Sequence, residues 1–141
     1  MEYNNYSPRQ TQYGGKEPEP NFDSEQFSTW IKNGASRKMV DFAEKAGKYM
    51  AQNGLTSSQI RNFYGEIKRI QMGEFKNERP SFCLLKPKVA YAVSRQKNKG
   101  ILFFQKAFVE AWGHVETASD FENFCALMEA MLAYHKANNG K

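Results

Sequence analysis

Residues 55–70 read LTSSQIRNFYGEIKRI, and their pattern predicts an amphipathic α-helix. Thr56 and Gln59 have the spacing of a capping box, in which each side chain bonds the backbone N–H of the other residue. Apolar residues then recur every three or four positions, at Ile60, Phe63, Tyr64, Ile67 and Ile70. The other side of the helix carries three cations, Arg61, Lys68 and Arg69, with Gly65 among them. We expect this helix to bury one face and to present a basic stripe on the other.

The segments before residue 55 show the same helical spacing. Asp23 or Ser24 is expected to cap a short helix, and Ser36 is expected to cap the next one. The dipeptide Asn53-Gly54 is typical of a helix C-terminus and predicts the end of that second helix.

The segments after residue 70 also favour helices. Gly73 is expected to end the 55–70 helix, and Pro80 is expected to interrupt the helical structure of the chain. Pro87 indicates either a helix that starts near Lys86 or a longer, kinked helix from about residue 81 to 98. Gly100 precedes another helix, and the Ser119–Glu122 capping box is expected to open the last one.

The chain as a whole therefore predicts an all-α fold, with no segment that alternates like a strand. At 40% hydrophobic and 14% aromatic residues, its 141 residues suffice for one core. We expect a single-domain bundle of about five to six helices over residues 22–141, with the Met and aromatic stripe of the last helix in the core. Residues 1–21 are rich in Tyr, Gln, Asn, Pro and Gly, which predicts a disordered tail.

The charge pattern indicates a polyanionic partner. Residues 79–109 contain seven bases and no acid, within a chain whose net charge is +5. A basic block of this kind favours binding to a polyanion such as RNA or DNA. For Arg61 a second role is equally open, namely a structural ion pair within the protein instead of a contact with a polyanion. No base-reading motif is present, so backbone binding without sequence preference is the natural inference.

The sequence contains no local motif for catalysis, for a cofactor or for a metal. It has two histidines and three aspartates, no C-x-x-C spacing, no phosphate-binding glycine loop and no nucleophile elbow. We therefore expect a protein that is not an enzyme and needs no cofactor. Cys83 and Cys125 form no disulfide framework and are expected to be small buried side chains. Together with the absence of a signal peptide and of a membrane span, they predict a cytoplasmic protein.

Two stretches resemble the Csm-type small subunit of type III-A CRISPR effector complexes. The family has a T-x-x-Q-I-R-x-F start to one helix, matched here by Thr56, Gln59, Ile60, Arg61 and Phe63. It has a later L-x-P-x-x-A-Y-x-x-x-R stretch, matched here by Leu85, Pro87, Ala90, Tyr91 and Arg95. The two motifs agree in order and spacing and cover about a fifth of the chain.

The resemblance implies a non-catalytic, all-helical subunit of an antiviral ribonucleoprotein. Copies of such a subunit stack in an inner filament beside the backbone subunits and hold the crRNA–target RNA duplex through its phosphates. Target cleavage belongs to the backbone subunits, and DNA cleavage and cyclic oligoadenylate synthesis belong to the large subunit. The residues expected at the RNA backbone are Arg61, Lys68, Arg69, Lys88 and Arg95. Three further candidates are Lys86, Lys97 and Lys99.

Two other functions remain open at this point. One is a freestanding basic helical module that binds nucleic acid, and the other is a helical adaptor whose basic face meets an acidic protein. All three hypotheses share the basic surface and differ in what covers it.

Overall fold

A computed structural model describes residues 17–138 and 140, and the described residues form an all-α fold without a strand. The all-α prediction is therefore confirmed. The seven helices in this part of the chain are α1 Ser24–Asn33, α2 Arg37–Gln52, α3 Ser57–Met72, α4 Phe75–Cys83, α5 Leu85–Arg95, α6 Lys99–Trp112 and α7 Ala118–Ala137. Only Leu84, itself in helical conformation, separates α4 from α5. If these two adjoining helices are counted together, the described residues contain six helices, within the predicted five to six.

The early helices start where their capping residues predict. Asp23 is the N-cap of α1, and its side chain accepts a hydrogen bond from the Gln26 N–H at 2.7 Å. Ser36 caps α2 in the same way. At α3 both bonds of the Thr56–Gln59 capping box are formed. These local hydrogen bonds satisfy backbone donors that the first turn leaves unpaired, which is why sequence alone finds them.

The two prolines behave differently from each other. Pro80 was predicted to break the chain, but it lies inside α4. Burial of Phe75 and Phe82 holds this short helix together, and the Lys76 carbonyl that loses its donor belongs to an exposed residue. Pro87 is the third residue of α5, where no intrahelical donor is required, so of the two alternatives the helix start is correct.

The starts of the last two helices also differ from the predictions. Gly100 is the second residue of α6, whose N-cap is Asn98. A Cβ at Gly100 would lie 2.7 Å from the Met50 carbonyl oxygen, so a close backbone approach explains this glycine. The capping box of α7 is Thr117 with Asp120, two residues before the predicted one.

The core is built largely from phenylalanine rings. Phe103, Phe104 and Phe108 of α6 and Phe121 and Phe124 of α7 are almost completely buried. The Met and aromatic stripe of α7 lies in this core, as predicted. Cys125 is buried as expected, but Cys83 is exposed because it ends α4 on the solvent side, so that prediction was wrong.

The described part of the predicted tail lies against the bundle. Residues 1–16 lie outside the described residues, and residues 17–21 have no regular secondary structure. The Glu17 backbone N–H donates to the Gln52 side chain at 3.0 Å, and the Glu19 carboxylate pairs with Lys106. The domain division at residue 21 remains a prediction.

None of the described helices is long and apolar enough to cross a membrane.

A buried carboxylate ties α1 to the start of α7. Asp120 lies 2.6 Å from the Lys32 ammonium and accepts hydrogen bonds from the backbone N–H groups of Glu116 and Thr117. Burial alone would raise the pKa of Asp120, but these hydrogen bonds outweigh it and hold the pKa below its ordinary value. The charged form of Asp120 therefore stabilises the folded state.

We expect the Asp120→Asn variant to be less stable than the wild type by about 2 kcal/mol at pH 7, because it loses charge-assisted hydrogen bonds. A lowered folded pKa means that this contribution is present above the ordinary pKa of 3.8 and is lost as the pH falls through the folded value. Urea unfolding of both proteins between pH 7 and about pH 2.5 measures the difference. A difference that stays constant down to the lowest pH would contradict this assignment. Glu116→Gln, at an exposed partner of Lys32, is the control and is expected to change stability little.

Candidate nucleic-acid interface

Helices α3 and α5 lie side by side in opposite directions. At one end, the Gln59 side chain in the first turn of α3 donates to the Gln96 carbonyl just after α5, at 2.9 Å. At the other end, the Lys88 ammonium near the start of α5 lies 3.5 Å from the Glu66 carboxylate of α3. The N-terminus of α3 therefore meets the C-terminus of α5.

A groove of about 660 Å³ runs between these two helices. Its lining includes residues of both sequence motifs, namely Thr56, Gln59, Phe63, Pro87, Tyr91 and Arg95. Asn62 and Glu66 of α3 and Lys88 and Ala92 of α5 also line it. Two stretches that are separate in sequence thus form one surface.

The cations at the Glu66 end of the groove take part in ion pairs. The Arg69 guanidinium makes two hydrogen bonds to the Glu66 carboxylate, at 3.1 and 2.8 Å, and also lies 3.2 Å from Glu78. Lys88 shares the same Glu66 carboxylate. The hydrogen bond from Arg69 is the main reason that the pKa of Glu66 is lowered, and the same contact raises the pKa of Arg69. Arg69 and Lys88 are therefore partly neutralised.

Lys68 is paired on a different side of α3. Its ammonium lies 2.8 Å from the Glu129 carboxylate of α7 and 5.4 Å from the centre of the Tyr64 ring. The hydrogen bond to Glu129 is the main reason that the pKa of Lys68 is raised. The predicted basic stripe is thus split, because Lys68 faces α7 whereas Arg69 faces α4 and α5.

Four exposed cations, Arg61 in the second turn of α3 and three bases at the end of α5 or just after it, form no ion pair with a described residue. We call this set the basic rim: Arg61, Arg95, Lys97 and Lys99. Asn98 donates to the Gly54 carbonyl at 2.9 Å, which holds residues 95–99 beside the start of α3.

The remaining bases of the 79–109 block are dispersed. The Lys86 ammonium lies 5.2 Å from the centre of the Trp112 ring, and Arg79 donates to the Glu116 carbonyl at 2.7 Å. Lys106 pairs with Glu19. A run of bases in sequence therefore becomes several separate sites. Lys88 and Lys106 face a carboxylate, whereas the other five bases of the block form no ion pair with a described residue.

Sequence reasoning missed the groove and its exposed wall. Tyr91 has 65% of its surface exposed, and Asn62 stands opposite on α3. The signal that pointed to the groove was the second motif, which includes Tyr91 although this side chain does not join the core.

Within residues 17–138 and 140, no three His, Cys, Asp or Glu side chains gather where they would hold a metal ion. Burial raises the pKa of the Cys125 thiol to about 12, which leaves it a poor nucleophile.

Comparison with known families gives one match. The Csm2 Type III-A family model matches residues 33–141, which includes α2 to α7 and both motifs. No curated protein and no solved structure matches the chain. The matched family is one of structural small subunits that act together with other Csm subunits. The chain therefore belongs to the Csm2 Type III-A family and is a small subunit of a type III-A CRISPR complex.

Proposed function

We propose that this subunit holds the crRNA–target RNA duplex by sequence-independent phosphate contacts, as one of several copies stacked in a filament, and that it takes no catalytic part. The observation that carries the proposal is the basic rim, whose four exposed cations have no carboxylate partner among the described residues. Cations without a carboxylate partner are available to phosphates. Their binding releases the counterions that are condensed on the RNA.

The ion pairs of the other candidate residues give the proposal an order of importance. Lys68, Arg69 and Lys88 each face a carboxylate, so a phosphate would have to compete with Glu129 or Glu66. Arg61 and Arg95 face no such competitor among the described residues. We therefore assign the main phosphate contacts to the basic rim and secondary contacts to the three paired cations.

Arg61 is also well placed because of its neighbour Gly65. A Cβ at Gly65 would meet no atom within 4 Å, so this part of α3 is open to solvent. Arg61 and Gly65 are one turn apart on the same side of the helix. An RNA backbone can approach closely there without a side chain in its way.

An amine-modification experiment on the assembled complex tests the proposal. We expect target RNA to lower the reactivity of Lys97 and Lys99 with an acylating reagent, because phosphates would cover both ammonium groups. Lys38 and Lys45, two exposed lysines of α2 that lie outside the groove, serve as internal controls.

Two results would contradict the proposal. One is equal reactivity of Lys97 and Lys99 in the free chain, in the complex with crRNA and after addition of target RNA. The other is protection that persists after nuclease removes all RNA, which would assign the basic rim to an acidic surface of a neighbouring subunit.

A further inference from the structure

We propose that the groove between α3 and α5 receives an unpaired RNA nucleotide, with its base stacked on Tyr91 and its phosphate on Arg95. The inference rests on the proposed function, since it assumes that RNA lies over the basic rim. It goes beyond that function by giving the groove a ligand of its own.

The first observation is the exposure of the aromatic wall. A tyrosine with 65% of its surface exposed has little packing role in the bundle. The Arg95 guanidinium lies 5.8 Å from the centre of its ring. Aromatic rings beside arginines bind the faces of unpaired bases, by stacking and by cation–π attraction.

The second observation is the direction of charge along the groove. Glu66 lies at one end and repels a phosphate, although Arg69 and Lys88 partly neutralise it. Arg95 and Gln96 line the other end, where Gln59 donates to the Gln96 carbonyl, and Lys97 follows them in the chain. A nucleotide therefore fits in one direction, with its phosphate at the basic rim and its base toward the middle of the groove.

The third observation concerns the hydrogen-bonding groups on the wall. The amide of Gln59 is already occupied, because it donates to the Gln96 carbonyl and accepts from the Thr56 N–H at 2.9 Å. Asn62 makes no hydrogen bond to another described residue and remains available. A single flexible amide does not fix the identity of a base, so we expect stacking without strong base preference.

The size and lining of the groove favour a nucleotide over a protein helix. A volume of about 660 Å³ lies within the usual range of small-molecule sites, roughly 300–1,000 Å³. Phe63, Pro87 and Ala92 are the apolar lining residues apart from Tyr91, which is little for the apolar face of a docked helix. The cationic end adds charge complementarity to RNA.

The test compares Tyr91→Ala with Tyr91→Phe in the assembled complex. The ligand is a target RNA that pairs with the guide except at one nucleotide, which carries 2-aminopurine. The position of that nucleotide is scanned along the target. We expect quenching of the 2-aminopurine signal at certain positions in the wild-type complex. Tyr91→Ala is expected to abolish the quenching and to weaken binding of that RNA roughly 10-fold, whereas Tyr91→Phe keeps both because it keeps the ring.

The salt dependence of affinity separates this inference from the proposed function. Removal of a stacking ring leaves the phosphate contacts, so the slope of log affinity against log salt should be the same in both Tyr91 variants and in the wild type. If Tyr91→Ala keeps the quenching and the affinity, the groove does not hold a base, although the phosphate contacts can still be present. If Tyr91→Ala prevents assembly of the complex, the groove is a protein interface and the inference is wrong.

Discussion

Replacement of Gly47 by alanine is expected to destabilise the fold by about 2–3 kcal/mol. Gly47 lies in the middle of α2, and a Cβ there would lie 2.5 Å from the His135 backbone nitrogen and from the Tyr134 Cβ in α7. Backbone cannot move aside as a flexible side chain can, so the two helices would have to separate. Alanine has a higher helix propensity than glycine, by up to about 1 kcal/mol. The steric cost of the added Cβ must therefore exceed this gain.

Gly65→Ala is the matched control, because it makes the same change inside another 16-residue helix. Open space surrounds Gly65, so we expect this variant to gain up to about 1 kcal/mol. Chemical denaturation of the two variants measures both effects. Similar changes in the two proteins would show that helix propensity, and not the α2–α7 contact, determines the cost at Gly47.

The second large effect is expected on RNA affinity. In the assembled complex, the triple variant Arg61→Gln, Arg95→Gln and Lys97→Gln should bind target RNA roughly 100-fold more weakly at about 0.15 M salt for each copy of the subunit that contacts the RNA. The value follows from three lost phosphate contacts, each of which contributes about 5-fold under these conditions. The three side chains are exposed, so the fold itself should change by less than about 0.5 kcal/mol.

A second triple variant controls for net charge. It also removes three positive charges, but from exposed positions on α2 and α4, by the substitutions Lys38→Gln, Lys45→Gln and Lys76→Gln. Long-range attraction depends on the total charge, whereas a phosphate contact depends on the position of the cation. We expect the control to bind target RNA nearly as tightly as the wild type. An equal loss in both variants would mean that the basic rim has no special role.

Helix α3 shows how much of the fold the sequence predicts. Its capping box, its apolar face and its end at Gly73 are all local features, and the structure has each of them. The prediction failed at Pro80, where burial of Phe75 and Phe82 in the core keeps a helix that local propensity disfavours. A contact of that kind depends on the tertiary packing, which no local pattern contains.

The residue types of the candidate site were predictable from the sequence. Which of these residues lie close together in the fold was not. The spacing of Arg61, Lys68 and Arg69 predicts one basic stripe on α3. It does not show that Glu129, which is 61 positions after Lys68, lies within 2.8 Å of that lysine. The groove needed the pairing of α3 with α5, and the pairing itself follows from packing between distant segments.

The most direct test of the central claim is the salt dependence of target-RNA affinity in the assembled complex. Affinities of the wild type, the basic-rim triple variant and the control triple variant are measured over a series of salt concentrations. If the basic rim holds phosphates, its variant will have a slope of log affinity against log salt that is shallower by about 2 to 3 for each copy in contact with the target, since each lost contact contributes roughly 0.7 to 0.9. The control variant will keep the wild-type slope. Three parallel lines from three normally assembled complexes would contradict the claim that this subunit holds RNA through the basic rim.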